Sequence, residues 1–197
     1  MNPLSLNTPR QRGFSLIEVL VTTVILSIGV LGVAGLNAFS QRASFESVQR
    51  STAAELAYTL LEDMRANSGA LNVYLAAATV GGGSRGAEPA PTCDVIAAPC
   101  TPTEFATHSL WEWEQMLDTG MEISAGAGTG GLVAPTACIV GPAGGVAGVY
   151  TVTIVWRGVT QLIDPALNAC GAGTGLYGAG NNLRRMVVVQ SFIDPAI

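Results

Sequence analysis

Lysine is missing altogether: all nine basic residues of this 197-residue chain are arginines. A phosphate-loop lysine, a Schiff-base lysine and a serine–lysine dyad are therefore excluded together. Histidine occurs once, at His108, with no serine, cysteine or acidic set at recognisable catalytic spacing, and it reads as structural. Charge is sparse, 12% of residues, and the net charge is −5, which removes the broad basic footprint of a nucleic-acid binder. None of the four cysteines, at 93, 100, 138 and 170, falls in the Cys-x-x-Cys spacing of zinc or redox sites. The glycine-rich stretches GGGSRG (81–86) and SAGAGTGG (124–131) lack the Gly-Lys-[Ser/Thr] ending of a phosphate loop, and both read as flexible surface loops. Proline is absent from Arg10 to Ala87, so nothing there breaks a helix.

What is present begins with an apolar run from Phe14 to Phe39, in which Glu18 is the only ionisable side chain. As a helix those residues span roughly 39 Å, enough to cross a bilayer core of about 30 Å. Arg10 and Arg12 precede the run and Arg42 follows it; with the chain's own amino terminus they favour a cytoplasmic N-terminus. A secretory signal peptide fits poorly, because the run is long and Glu18 sits near its start.

Beyond Phe39 the pattern turns amphipathic without a break. Ala53, Leu56, Ala57, Leu60, Leu61 and Met64 recur at helical spacing, and Asn67-Ser68-Gly69 supplies a stop. One helix from Phe14 to about Asn67, roughly 80 Å long, is expected, its first half in lipid and its second half packed on a domain. A second helix should start at Thr101-Pro102, with Glu104 completing a capping box, and end at Gly120. Phe105, Leu110, Trp111, Trp113, Met116 and Leu117 supply its apolar surface. The C-terminal third reads as three strands, 136–140, 150–156 and 183–193, forming an antiparallel meander against the long helix. In the middle strand Tyr150, Val152, Ile154 and Trp156 alternate with Thr151, Thr153 and Val155, the period of a half-buried strand. The fold class is α+β. An even number of cysteines beyond a membrane anchor points to disulfides in an oxidising compartment. Four residues allow three pairings; the favoured one joins Cys93 to Cys100 across a small loop and Cys138 to Cys170, tying the sheet to the loop before its last strand.

The segment Gly13-Phe14-Ser15-Leu16-Ile17-Glu18-Val19-Leu20 resembles the class III signal of type IV prepilins. The resemblance implies cleavage after Gly13 by a prepilin peptidase on the cytoplasmic face and N-methylation of Phe14. It also gives Glu18 an assembly role, neutralising the terminal amine of a neighbouring subunit. The run from Ile17 to Asn67, CTPTEFATHSLWEWEQML (100–117) and VYTVTIVWRG (149–158) are similar to minor pilins of the PilV type. That likeness implies a type IV pilin-like fold with a cleaved leader (1–13), a transmembrane and assembly half-helix (14–39) and a periplasmic domain (40–197). It implies a non-catalytic subunit with no cofactor or metal. Its partners would be other pilins and minor pilins, the peptidase and the inner membrane, with no nucleic acid expected. Gly29, Gly32 and Gly35 line a face that would allow close helix approach. A minor pseudopilin of a type II secretion system is the rival reading. A membrane-anchored periplasmic enzyme is a third, disfavoured by the missing lysine and the lack of any catalytic set.

Overall fold

The computed structural model describes residues 13–94, 99–119, 123–124, 127–128, 131–164 and 168–195. The leader up to Arg12 and the expected helix stop at Gly120 lie outside them. The chain divides into two compact units, one up to Ala43 and one from Ser44.

The helix α1 runs from Leu16 to Ala66. In the first unit its side chains are exposed throughout. In the second, Gln49, Ala53, Leu56, Ala57, Leu60, Leu61 and Met64 are buried, the stripe that a three-and-four spacing lays on one face of a helix. Asn67-Ser68-Gly69 does end α1, but the chain then turns through a short 3-10 segment, Ser68–Ala70, into a further helix, α2 (Leu71–Ala77). Sequence reading had no helix there. Its buried Leu71, Tyr74 and Ala77 repeat the same spacing over barely two turns.

The helix α3 spans Pro102–Thr119. Its start is a capping box: the Glu104 carboxylate accepts from the Thr101 backbone N–H at 2.8 Å, and Thr101 Oγ1 accepts from the Glu104 N–H at 3.3 Å. Trp113 is fully buried, and its indole N–H donates to the Leu56 carbonyl at 2.9 Å.

The sheet has four antiparallel strands in the order β1 (Thr79–Val80), β4 (Thr136–Val140), β5 (Gly148–Arg157), β6 (Arg184–Ile193). The expected meander is β4-β5-β6, and the two-residue β1 adds an edge. A two-residue ladder, β2 (Ile123–Ser124) with β3 (Ala127–Gly128), lies inside the stretch expected to be loop. The core fills the space between α1, α2 and α3 and the inner sheet face of Ala137, Ile139, Tyr150, Val152, Ile154 and Trp156. Arg65 donates to Ser191 near one end of β6 and Glu46 meets Arg185 near the other, so α1 runs beside β6 in the same direction.

β5 departs from the half-buried reading. Thr153 and Val155, on its outer face, are buried too. A loop following β5 folds back over them, bringing Cys170 and Tyr177 against Val155. The Tyr177 hydroxyl donates to the Ala134 carbonyl at 3.1 Å and lies 2.9 Å from Thr136 Oγ1, while Arg184 holds the loop through the Asp164 carboxylate and the Cys170 carbonyl. Disulfides join Cys93 to Cys100 and Cys138 to Cys170, closing loops of sequence separation 7 and 32. Replacing Cys138 with serine is expected to cost about 3–4 kcal/mol of stability and replacing Cys93 about 2–3, because the larger loop constrains the unfolded chain more. Chemical denaturation of detergent-solubilised protein measures both. Equal losses, or crossed links in non-reducing peptide maps, would contradict the ordering.

Candidate functional site

The site begins where the helix does. Gly13, Phe14 and Ser15 are outside α1 and exposed, and a Cβ at Gly13 would meet nothing within 4 Å. The junction between Gly13 and Phe14 is thus an open, non-helical backbone of the kind a protease can take into an extended groove. The Ser15 carbonyl accepts from the N–H groups of Glu18 at 3.0 Å and Val19 at 3.3 Å, which starts the helix.

Glu18 stands in the first turn of α1, three residues after Ser15 as in a capping box. A carboxylate there offsets the positive end of the helix dipole. That is a local reason for an acid at the head of an apolar run, beside the intersubunit role that the resemblance implies. No salt bridge joins Glu18 to another described residue.

Downstream, α1 is long and apolar enough to cross a membrane by length and composition. Cβ atoms at Gly29, Gly32 and Gly35 would meet open space. Gly29 lies in a shallow apolar depression with Ile25, Leu26, Val30, Val33 and Ala34. That surface suits a neighbouring helix, since small residues let backbones approach.

The other sequence candidates lie away from the N-terminus. His108 is nearly buried on α3, with Glu88 3.4 Å from Nε2 and Glu112 3.6 Å from Nδ1. Among the described residues no group of three or more His, Cys, Asp or Glu could hold a metal.

The stretch 81–86 is not the loose loop expected. It does cradle an anion, and the anion is the protein's own. Glu114 accepts from the N–H groups of Gly81, Ser84 and Arg85 at 2.7–2.9 Å and from the Ser84 hydroxyl at 2.6 Å. Asp118 accepts from the N–H groups of Gly82 and Gly83 at 2.9 Å each. The Trp111 indole donates to the Gly86 carbonyl at 3.1 Å. Positions 111, 114 and 118 share one face of α3. Glycine is required at 81, where φ is +131° and a Cβ would come within 2.6 Å of the Pro135 carbonyl oxygen. Burial alone would push the Glu114 carboxyl up. The hydrogen bonds from Ser84, Arg85 and Gly81 outweigh it and hold the group below its ordinary 4.5. A glutamate at an apolar helix position opposite a run of glycines was the one signal in the sequence for this clamp.

Compared with known families, the chain matches the model described as the prokaryotic N-terminal methylation motif over residues 8–34. No curated protein and no solved structure matches it. The match supports a pilin- or pseudopilin-type protein and falls on the stretch that places Gly13, Phe14 and Glu18 at the head of α1.

Proposed function

We propose that the chain is a minor pilin of the PilV kind. It is made as a single-pass inner-membrane precursor with its C-terminal domain in the periplasm, cut after Gly13 and methylated at Phe14. The apolar half of α1 then leaves the bilayer to pack among other pilin helices in a type IV pilus or its priming tip complex. The observation that carries this reading is the methylation motif over 8–34 at the head of a helix that continues into a small α+β domain. The role is non-catalytic: the N-terminal surface offers glycines, an acid and apolar side chains, which suit helix packing.

A second reading is a minor pseudopilin of a type II secretion system, because the matched residues belong to the helix that both kinds of subunit use. Deletion separates the two: loss of surface pili supports the first, loss of a secreted enzyme with pili intact the second. The common premise is tested by intact mass of the mature protein, which should begin at methylated Phe14. A terminus near Ala34 or Ala38 would mean an ordinary signal peptidase and would overturn both.

A further inference from the structure

The second unit is electrically lopsided along its length. Four of its arginines, 50, 157, 184 and 185, belong to the end that begins with Ser44, against two carboxylates, Glu46 and Asp164. Past residue 52 the other described residues include only Arg65 and Arg85 against ten acidic side chains. Register fixes the geometry: Arg157 pairs with Arg184 at one end of the β5–β6 ladder, and Gly148 pairs with Ile193, next to Asp194, at the other.

The arginine end also carries an apolar loop. Val159, Leu162 and Ile163 are 54%, 56% and 95% exposed. The loop is pinned rather than loose. Gly158 N–H donates to the Leu183 carbonyl at 2.8 Å and Leu162 N–H to the Asn182 carbonyl at 2.7 Å. Thr160 donates to Glu46 on α1 at 2.9 Å, and Arg185 bonds the Thr160 carbonyl at 2.7 Å. The two carboxylates nearby are both engaged, Glu46 with Arg185 and Asp164 with Arg184. The loop thus presents two large aliphatic side chains outward at the end of the unit where arginines outnumber carboxylates by four to two.

Glu46 comes seven positions after Phe39, the last of the apolar run, and seven steps of chain span at most about 25 Å. The loop bonded to Glu46 is therefore leashed to the point where the chain leaves the hydrocarbon. Exposed aliphatic side chains at an arginine-rich end are the composition of an interfacial lipid contact, the aliphatics reaching the acyl boundary and the cations the phosphates.

We propose that, while the chain is still anchored, Leu162 and Ile163 seat in the anionic phospholipid surface from which α1 emerges, and so set which end of the domain faces the membrane. This rests on the membrane-anchored reading above. The test uses full-length protein in phosphatidylethanolamine–phosphatidylglycerol vesicles with or without acyl-chain-brominated lipid. Tryptophan is introduced as Ile163→Trp or, at the acidic end about 30 Å away along β5, as Val146→Trp. Both positions are exposed, so folding should survive. The fluorescence added by Ile163→Trp should fall by about half in brominated vesicles, as for a side chain at the headgroup–acyl boundary. Raised salt should weaken this quenching, and Val146→Trp should be unaffected. If the protein floats with the vesicles and Ile163→Trp is no more quenched than Val146→Trp, the proposal fails and the anchor stands. A signal that follows protein-to-lipid ratio instead of bromination would mean that a second copy covers the loop. Protein that does not float with vesicles would overturn anchor and proposal together.

Discussion

Glu18→Ala is expected to leave cleaved, stable protein in the membrane and to remove it from filaments. On the function proposed above, the peptidase reads the exposed Gly13–Phe14 junction and the adjoining apolar residues, which the substitution leaves intact, so processing should largely continue. Insertion should become easier, since a carboxylate in a membrane helix costs about 2.5–3.5 kcal/mol even on the lenient scale. What is lost is the partner for the terminal amine created at Phe14 when that amine enters a low-dielectric helical bundle. An uncompensated buried charge costs about 3–5 kcal/mol, on the order of a hundredfold or more in an assembly equilibrium. The competing explanation is the position of Glu18 in the first turn of α1, where an acid is worth only about 0.3–1 kcal/mol against the helix dipole. That is too little for so large a loss. Glu18→Gln separates the two, because it keeps a hydrogen-bonding group at the helix start and removes the charge. Immunoblots of membrane and sheared-pilus fractions should show both variants cleaved and both excluded. Normal incorporation of either would mean that the carboxylate has no required partner.

The N-terminal methylation motif was legible because its residues lie close together in sequence. Gly13, Phe14 and Glu18 lie within six positions, and an acid in an apolar run stands out whatever the rest of the chain does. The long helix was legible for a similar reason: Ala53 to Met64 repeat at a spacing that only a helix turns into one face, and the structure buries all six of the named residues. Elements too short to show a period were not. β1 has two residues and α2 seven, fewer than a pattern needs to rise above accident, and the Asn67-Ser68-Gly69 stop masked the helix behind it.

A different kind of miss came from cover supplied by distant chain. Thr153 and Val155 sit on the face of β5 that alternation assigns to solvent. Cys170 and Tyr177 pack against Val155, and Asn168 bonds the Thr153 hydroxyl; their approach depends on a disulfide to β4 and on Arg184 bridging Asp164 and the Cys170 carbonyl. Local pattern has no access to such closure. The same holds for the apolar loop at Leu162 and Ile163. Two aliphatics before Asp164-Pro165 look like ordinary loop filler until Thr160 is seen bonded to Glu46, more than a hundred residues earlier.

The largest stability effect in the folded domain is expected from Glu114→Ala. One carboxylate accepts four hydrogen bonds there, and its removal strands the N–H groups of Gly81, Ser84 and Arg85 beside a fully buried position. Hydrogen bonds to a charged group contribute about 1.5–3 kcal/mol each, but those sharing one acceptor are not additive and water can reach part of the loop, so about 3–5 kcal/mol in total is expected. By comparison, Asp118→Ala frees only the Gly82 and Gly83 N–H groups, both at exposed residues, and should cost well under half as much. The pH dependence has a definite sign. Because the folded Glu114 carboxyl titrates below its ordinary 4.5, the unfolded chain binds its proton first as pH falls. The stabilisation is therefore complete above about pH 4.5 and is lost as pH drops towards and through the folded value. Glu46, Asp94 and Glu104 are lowered as well, so acid sensitivity of the parent alone would not single out Glu114. The difference between parent and Glu114→Gln does, since the other carboxylates cancel in it. Chemical denaturation of both proteins from pH 7 to pH 3 should show a gap that is constant near neutrality and narrows below pH 4.5. A gap that does not change with pH would mean that the amide fails by its shape and not by its missing charge, and that the glycine loop is held by packing alone.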